Sequence, residues 1–442
     1  MADFSAALMN AGRPFPTVNA ASTLDTLKVI SRVVLPTFGK GVLIRRPLME
    51  AAAQRLGLDT RAVKTLQRLR WKYGPQPLSL AIPFRPHVVL LDPADVDLVL
   101  ARSPDPFATD TREKRSALDH LEPGNVLISR PHERPPLRAV HEEALATSAR
   151  HHPFADRFRA VIDEEFGALF KHGPENGELG WDRFSTAWFR IVRRLVLGDS
   201  ARHDEALTEE VNGLRGRANW AFLLRHDESR VRAFHQHLRL YLDAAEAGSL
   251  VSRVPRDPAL HPEAQVTQWL FAFDPAGMAT FRTLALLAAH PEELARARAE
   301  AVSDGLERPF TRTCFLESLR LWPTTPAILR ELTEDVGQLR KGTGVIIFTP
   351  FLHRDDERLS FAHRLEPSIW NGGNALPAQG LVPFSAGPVV CPAHNLVPLV
   401  ATLAIGAILS RAAVKLDHPR LDPNALPGTL DHFEIRLGVR HG

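Results

Sequence analysis

Cysteine is almost missing from this 442-residue chain: there are two, Cys314 and Cys391. Two cannot build a disulfide framework, so a reducing, cytoplasmic setting is expected. Tyrosine is equally scarce, 2 against 23 phenylalanines, which leaves an oily interior with few phenolic handles. An excess of one charge is also lacking, because 54 basic residues face 51 acidic ones for a net +3. That balance gives nucleic-acid binding no support. The N-terminus, MADFSAALMNAGRPFPTV, lacks the basic-then-apolar order of a secretory signal. No apolar run reaches the roughly 20 residues of a bilayer span. The longest, LVPLVATLAIGAIL from Leu396 to Leu409, reads as a buried helix. No Gly/Ser linker and no repeat of 20–50 residues divides the chain. One domain over 1–442 is expected, with residues 1–20 as a loosely ordered arm.

What is present is mostly helical pattern. Residues 75–100 read as strand, turn, strand and short helix, with Asp92-Pro93 opening the helix. From about 132 to 250 the periodicity is helical, broken at 173–180 and 199–204. A nearly all-apolar helix is expected over 262–290, started by Pro262 and closed by His290-Pro291. A helix apolar all round runs through a core. A second is expected from His394 to about Ala412, and short strands near 327–333, 345–349 and 433–439. The fold class is mainly α with a minor β portion.

The chemistry concentrates near the second buried helix, in Phe384-Ser385-Ala386-Gly387-Pro388-Val389-Val390-Cys391-Pro392-Ala393. A cysteine one or two residues before a helix faces unpaired N–H groups, and the helix's positive end lowers its thiol pKa. Gly387 permits a tight turn, and Phe384 can cover one face of a flat ligand. Such a thiolate suits haem iron; on its own, Cys391 reads more readily as a small buried hydrophobe, the commonest fate of a lone cysteine. Upstream, Glu317 and Arg320 lie three apart on one helical face, ahead of Pro323. Pro350-Phe351-Leu352-His353-Arg354-Asp355 and His363-Arg364-Leu365-Glu366-Pro367 follow.

The order Glu-x-x-Arg, His-Arg-Asp, His-Arg-x-x-Pro, Phe-x-x-Gly-x-x-x-Cys resembles the cytochrome P450 superfamily, strongly over about 260–442 and more loosely over 75–260. The resemblance implies a single-domain haem-thiolate fold, with haem b between the long central helix and the Cys-bearing loop and following helix. It assigns Cys391 as the iron ligand and Glu317 with Arg320 as a structural pair. Haem propionates need cationic partners, which fall on Arg330, Arg138 and Arg134. Three positions depart from the family. Val389 replaces an Arg or His, Ala393 replaces a Gly, and Ile369 cannot supply the third member of a Glu-Arg-Arg cluster.

On the central helix the family's Ala/Gly-Gly-x-Asp/Glu-Thr falls on Ala276, Gly277, Met278, Ala279 and Thr280. Gly277 is expected to let the backbone approach bound dioxygen, and Thr280 to steer protons during oxygen activation. Ala279 replaces the usual acid. Asp274-Pro275 reads as an N-cap and first helical residue, so a break or kink is expected at 274–275.

Pocket walls are expected from Phe107, Trp220, Phe222, Leu223, Phe273, Thr325 and Ile328, around a small, largely apolar substrate. No flavin or iron–sulfur signature appears, so the resemblance implies a ferredoxin and ferredoxin reductase as electron donors. The expected activity is monooxygenation. A peroxygenase, or an isomerase or dehydratase, is the alternative suggested by Ala279, and a haem-binding protein without turnover is a third.

Overall fold

The computed structural model describes residues 13–82, 85–171, 177–221, 223–373 and 377–441. Phe222 lies outside them, as does most of the expected N-terminal arm. Of that arm, Asn19–Ala20 forms a strand, and Phe15 packs its ring 5.8 Å from that of Phe107.

Among the described residues, nine strands form two sheets. The first contains β1 (Asn19–Ala20), β2 (Leu78–Leu80), β3 (His87–Val89), β4 (Phe107–Ala108), β6 (Ala327–Leu332) and β7 (Gly344–Phe348), in the order β1-β2-β3-β7-β6-β4. β3 runs parallel to β7, and β7 antiparallel to β6. The second contains β5 (Glu178–Gly180), β8 (Ala412–His418) and β9 (Arg436–His441), with β9 central.

Helices make up most of the rest. Those that position the site are α1 (Pro93–Ala101), α2 (Arg134–Ala144), α3 (Trp181–Val196), α4 (Glu205–Ala218), α5 (Pro262–Ala288), α6 (Pro309–Leu321) and α7 (Leu396–Leu409). Asp92 caps α1 by accepting from the Ala94 N–H, with Pro93 at its first position. α5 and α7 are buried on nearly every side, as uniformly apolar helices must be. Two large apolar cores result. One joins α3, α5 and α7 with neighbouring helices and the second sheet. The other joins the first sheet to α1 and the N-terminal helices.

The expected break in α5 is absent: one helix runs from Pro262 to Ala288 with Pro275 inside it. Asp274 caps nothing. Its carboxylate pairs with the buried guanidinium of Arg215 on α4, and Arg215 also donates to the Leu43 carbonyl. Proline removes one bond from the ladder and costs about 3 kcal/mol. Twenty buried residues along α5 outweigh that loss. α7 also starts later than expected, at Leu396, and the chain beyond it becomes β8.

Candidate functional site

The loop ahead of α7 is shaped by backbone contacts. Gly387 has φ +69°, and a Cβ there would lie 2.2 Å from the Leu100 carbonyl oxygen at the end of α1. Only glycine meets both demands. The Cys391 N–H donates to the Phe384 carbonyl at 3.0 Å, and the Arg138 guanidinium on α2 donates to the Val390 carbonyl at 2.8 Å. The Val382 N–H donates to Nε2 of buried His353 at 3.0 Å, anchoring the start of the loop. Phe384 packs against a small cluster of Ala279 from α5, Phe315 and Leu319 from α6, and Ala401 from α7. The loop and the central helix therefore meet at one place.

The Cys391 thiol departs from its expected state. Because α7 begins at Leu396, the helix end is too distant to dominate. Burial pushes the thiol up, opposed by the Ala393 N–H and by Arg138.

Glu317 and Arg320 are both fully buried. Arg320 forks onto the two Glu317 oxygens at 2.7 Å each. It also donates to the carbonyls of His353, Ala362 and Arg364. Glu317 also accepts from the Trp370 indole N–H at 2.9 Å and from the Glu366 N–H at 2.7 Å. Trp370 thus fills the place that Ile369 cannot. Arg364 contributes its carbonyl, while its guanidinium donates to the Ser360 carbonyl.

Three cations gather beside the loop. Arg330 on β6 is buried and donates to Ser103 Oγ at 2.9 Å and Ser385 Oγ at 3.4 Å. Arg134 on α2 is buried and donates to the Val126 carbonyl at 2.7 Å and Thr109 Oγ1 at 3.1 Å. Lys114 is half-buried. Desolvation, together with the neighbouring cations, holds Arg330 down to about 9, Arg134 to about 10 and Lys114 to about 7. The nearest acids are committed elsewhere, Asp110 to Arg115 and Glu113 to Arg85. Buried cations lacking an anion are costly, and the two propionates of a haem are the partners that would relieve them. The residues present therefore fit that group. Lys114 escaped the sequence reading because a lysine in REKRSAL looks like a solvated face.

On α5, Thr280 is fully buried and its hydroxyl donates to the Ala276 carbonyl at 2.7 Å. The hydroxyl oxygen keeps its lone pairs for accepting. The space beside Gly277 is taken by protein: a Cβ there would meet Trp188 Nε1 of α3 at 2.6 Å. Trp188 donates from that nitrogen to the Phe273 carbonyl at 2.8 Å. Gly277 is required by helix packing.

The expected pocket residues do not converge. Phe107 and Ile328 belong to the sheet core. Phe273 belongs to the helical core. Thr325 is exposed. Trp220 and Leu223 are exposed, the former under the Arg46 guanidinium, 4.4 Å from the ring centroid. Between Ala264 and Leu287 the accessible positions of α5 are instead Gln268, Phe271, Ala272 and Pro275, spaced i, i+3, i+4, i+7. That stripe is the partly exposed face of α5.

The cytochrome P450 family model matches residues 263–432. Among curated relatives, cytochrome P450 4g15 of Drosophila melanogaster is 28% identical over 160 residues, covering 32% of this chain and 27% of that protein. Ent-kaurenoic acid oxidase 1 of Arabidopsis thaliana is 29% identical over 159 residues, 32% of each chain. The matched stretch thus spans less than two thirds of these relatives' own length. The fold is shared more widely. A six-coordinate cytochrome P450 from Thermus thermophilus superposes with TM-score 0.62 at 19% identity, covering 86% of this chain and 98% of that one. The cytochrome P450DA haem domain gives TM-score 0.65 at 18% identity, covering 86% and 93%. Over residues 263–432 the chain is thus similar to the cytochrome P450 family, and its fold is that of cytochrome P450 structures.

Proposed function

We propose that this protein is a haem-thiolate monooxygenase that inserts one atom of dioxygen into a small, largely apolar organic substrate. Haem b on a cysteine thiolate is the cofactor of this family, and it supplies oxygen activation when bound. In this reading Cys391 would be the ligand, Arg330, Arg134 and Lys114 would hold the propionates, and Phe384 would pack against the group. The observation that carries it is the pair of buried cations, Arg330 and Arg134, with half-buried Lys114 beside them, next to the Cys391 loop.

Thr280 serves as the proton-handling residue. Its hydroxyl hydrogen is directed at Ala276, so its oxygen can accept from water or substrate. Arg138 holds the Cys391 loop through the Val390 carbonyl. Electrons come from a separate ferredoxin and its reductase. Among the described residues, no helix is long and apolar enough to cross a membrane.

The reduced, carbon-monoxide-bound spectrum tests the reading. A thiolate-type Soret band that disappears in Cys391→Ala is expected. Retention of the band in the variant excludes Cys391.

One observation favours a second reading. Ala279 stands where the family carries an acid, and it packs among Phe315, Leu319 and Ala401. No proton can pass along that side chain, which suits peroxide-driven turnover or isomerisation. Product formed with peroxide alone, and none with reductant and dioxygen, would establish this alternative.

A further inference from the structure

The accessible stripe on α5 ends at a buried acid. Glu122, in the segment between β4 and α2, is fully buried, and no Arg, Lys or His pairs with it among the described residues. Its partner is Gln268, the outermost residue of the stripe. With its amide nitrogen turned to Glu122, Gln268 donates to both carboxyl oxygens, at 2.6 and 3.0 Å. A carboxyl group has about four lone-pair sites, so much acceptor capacity is unused.

The acid is also held in place. Gln265 donates to the carbonyls of Gly124 and Leu260, both at 3.0 Å. Asn125 donates to the Ala264 carbonyl at 3.0 Å, and the Val126 N–H to Gln265 Oε1 at 3.1 Å. His141 on α2 bonds Gln265 at 2.9 Å and accepts from the Trp269 indole at 3.0 Å. These bonds fasten the Glu122 segment to α5 and α2, as a preorganised recognition group requires.

Beyond Gln268 the stripe turns apolar. Phe271 packs against Leu43, Leu118, Ile128 and Ala218. At 1.5 Å per residue, Ala276 and Ala279 lie about 12–16 Å further along the helix axis. There α5 meets the cluster that Phe384 covers.

We propose that Glu122, screened by Gln268, is the recognition site for a cationic, N–H-bearing head group on an elongated apolar substrate, whose far end reaches the Ala276–Thr280 segment. The head group displaces the Gln268 amide and forms a charge-assisted bond with the acid. Burial raises the Glu122 carboxyl well above its usual range for want of such a partner. This rests on the monooxygenase reading above and names its substrate class.

The test uses the haem-loaded protein and two probes of equal chain length, dodecylguanidinium and 1-dodecanol, below their aggregation limits. Dissociation constants come from calorimetry and from the Soret shift. The guanidinium probe is expected to bind at least about tenfold more tightly than the alcohol. Glu122→Gln, nearly isosteric, should erase that preference while leaving dodecanol binding unchanged. Equal affinities in the wild type, or a preference that survives Glu122→Gln, overturn the inference. With a thiolate-type carbon-monoxide spectrum present, either result leaves the monooxygenase reading standing. Absence of that spectrum removes both.

Discussion

At the scale of single residues, two buried contacts have measurable consequences. Gly277 admits the Trp188 indole, whose Nε1 would lie 2.6 Å from a Cβ. Gly277→Ala must push the indole away and break its bond to the Phe273 carbonyl. Overpacking plus an unpaired buried N–H gives an expected loss of roughly 2–4 kcal/mol in urea unfolding. Unchanged stability would contradict this packing role. His141 is buried and held at about 4, first by desolvation and then by nearby Arg138 and Arg134, against the favourable bond to Gln265. Its unfolded value is near 6.5, so the unfolded chain takes up the proton first as pH falls. Stability from the neutral imidazole is full above pH 6.5 and is lost between there and about 4, roughly 3 kcal/mol in all. Neutral His141→Gln removes this term. The stability difference between wild type and variant should therefore shift against the wild type by that amount from pH 7 to 4. A difference independent of pH would show that His141 is not held neutral.

At the scale of elements, α6 and the segment after it act through Glu317 and Arg320. Arg320 is fully buried with six hydrogen-bond acceptors around it, two of them Glu317 oxygens. Arg320→Leu leaves a buried carboxylate facing only Trp370 and the Glu366 N–H, a loss of about 3–5 kcal/mol. The expected result is protein that fails to retain haem during purification. Normal haem content in Arg320→Leu would refute the structural role. The sequence made this pair visible because i, i+3 spacing and a helix-ending proline are local signals. The buried helices α5 and α7 were legible for the same reason, through long apolar runs. What escaped depends on distant contacts. Trp370, next to Ile369, reaches Glu317 from 53 positions away. Arg215, about sixty positions from Asp274, takes the carboxylate that sequence had assigned to a helix cap. Local spacing cannot show which remote cation arrives, and so the continuity of α5 through Pro275 was misjudged.

At the scale of the whole molecule, the two cores meet beside the Cys391 loop, and cations from both sides converge there. Arg330 comes from the sheet, and Arg134 from the helix leading to the other core. Without an anion each destabilises the other. Arg330 is lowered first by desolvation and then by Arg134, and Lys114 by desolvation, Arg330 and Arg134. The fold therefore keeps a site whose charge balance is completed only by a ligand, and stability and binding are linked in opposite directions. Arg330→Leu separates the two effects. Removing a buried cation should leave the haem-free protein as stable as before or more stable, by up to about 1–3 kcal/mol, as with other buried charges exchanged for apolar groups. The same change deprives a propionate of its partner, so haem transfer to an excess of apomyoglobin should become at least about tenfold faster. Urea unfolding of the haem-free form and the transfer rate of the loaded form measure the two halves separately. A variant that is less stable without haem and releases haem at the wild-type rate would make Arg330 an ordinary packing residue. Opposite movement of the two quantities would identify the cation trio as the place where this fold awaits its cofactor.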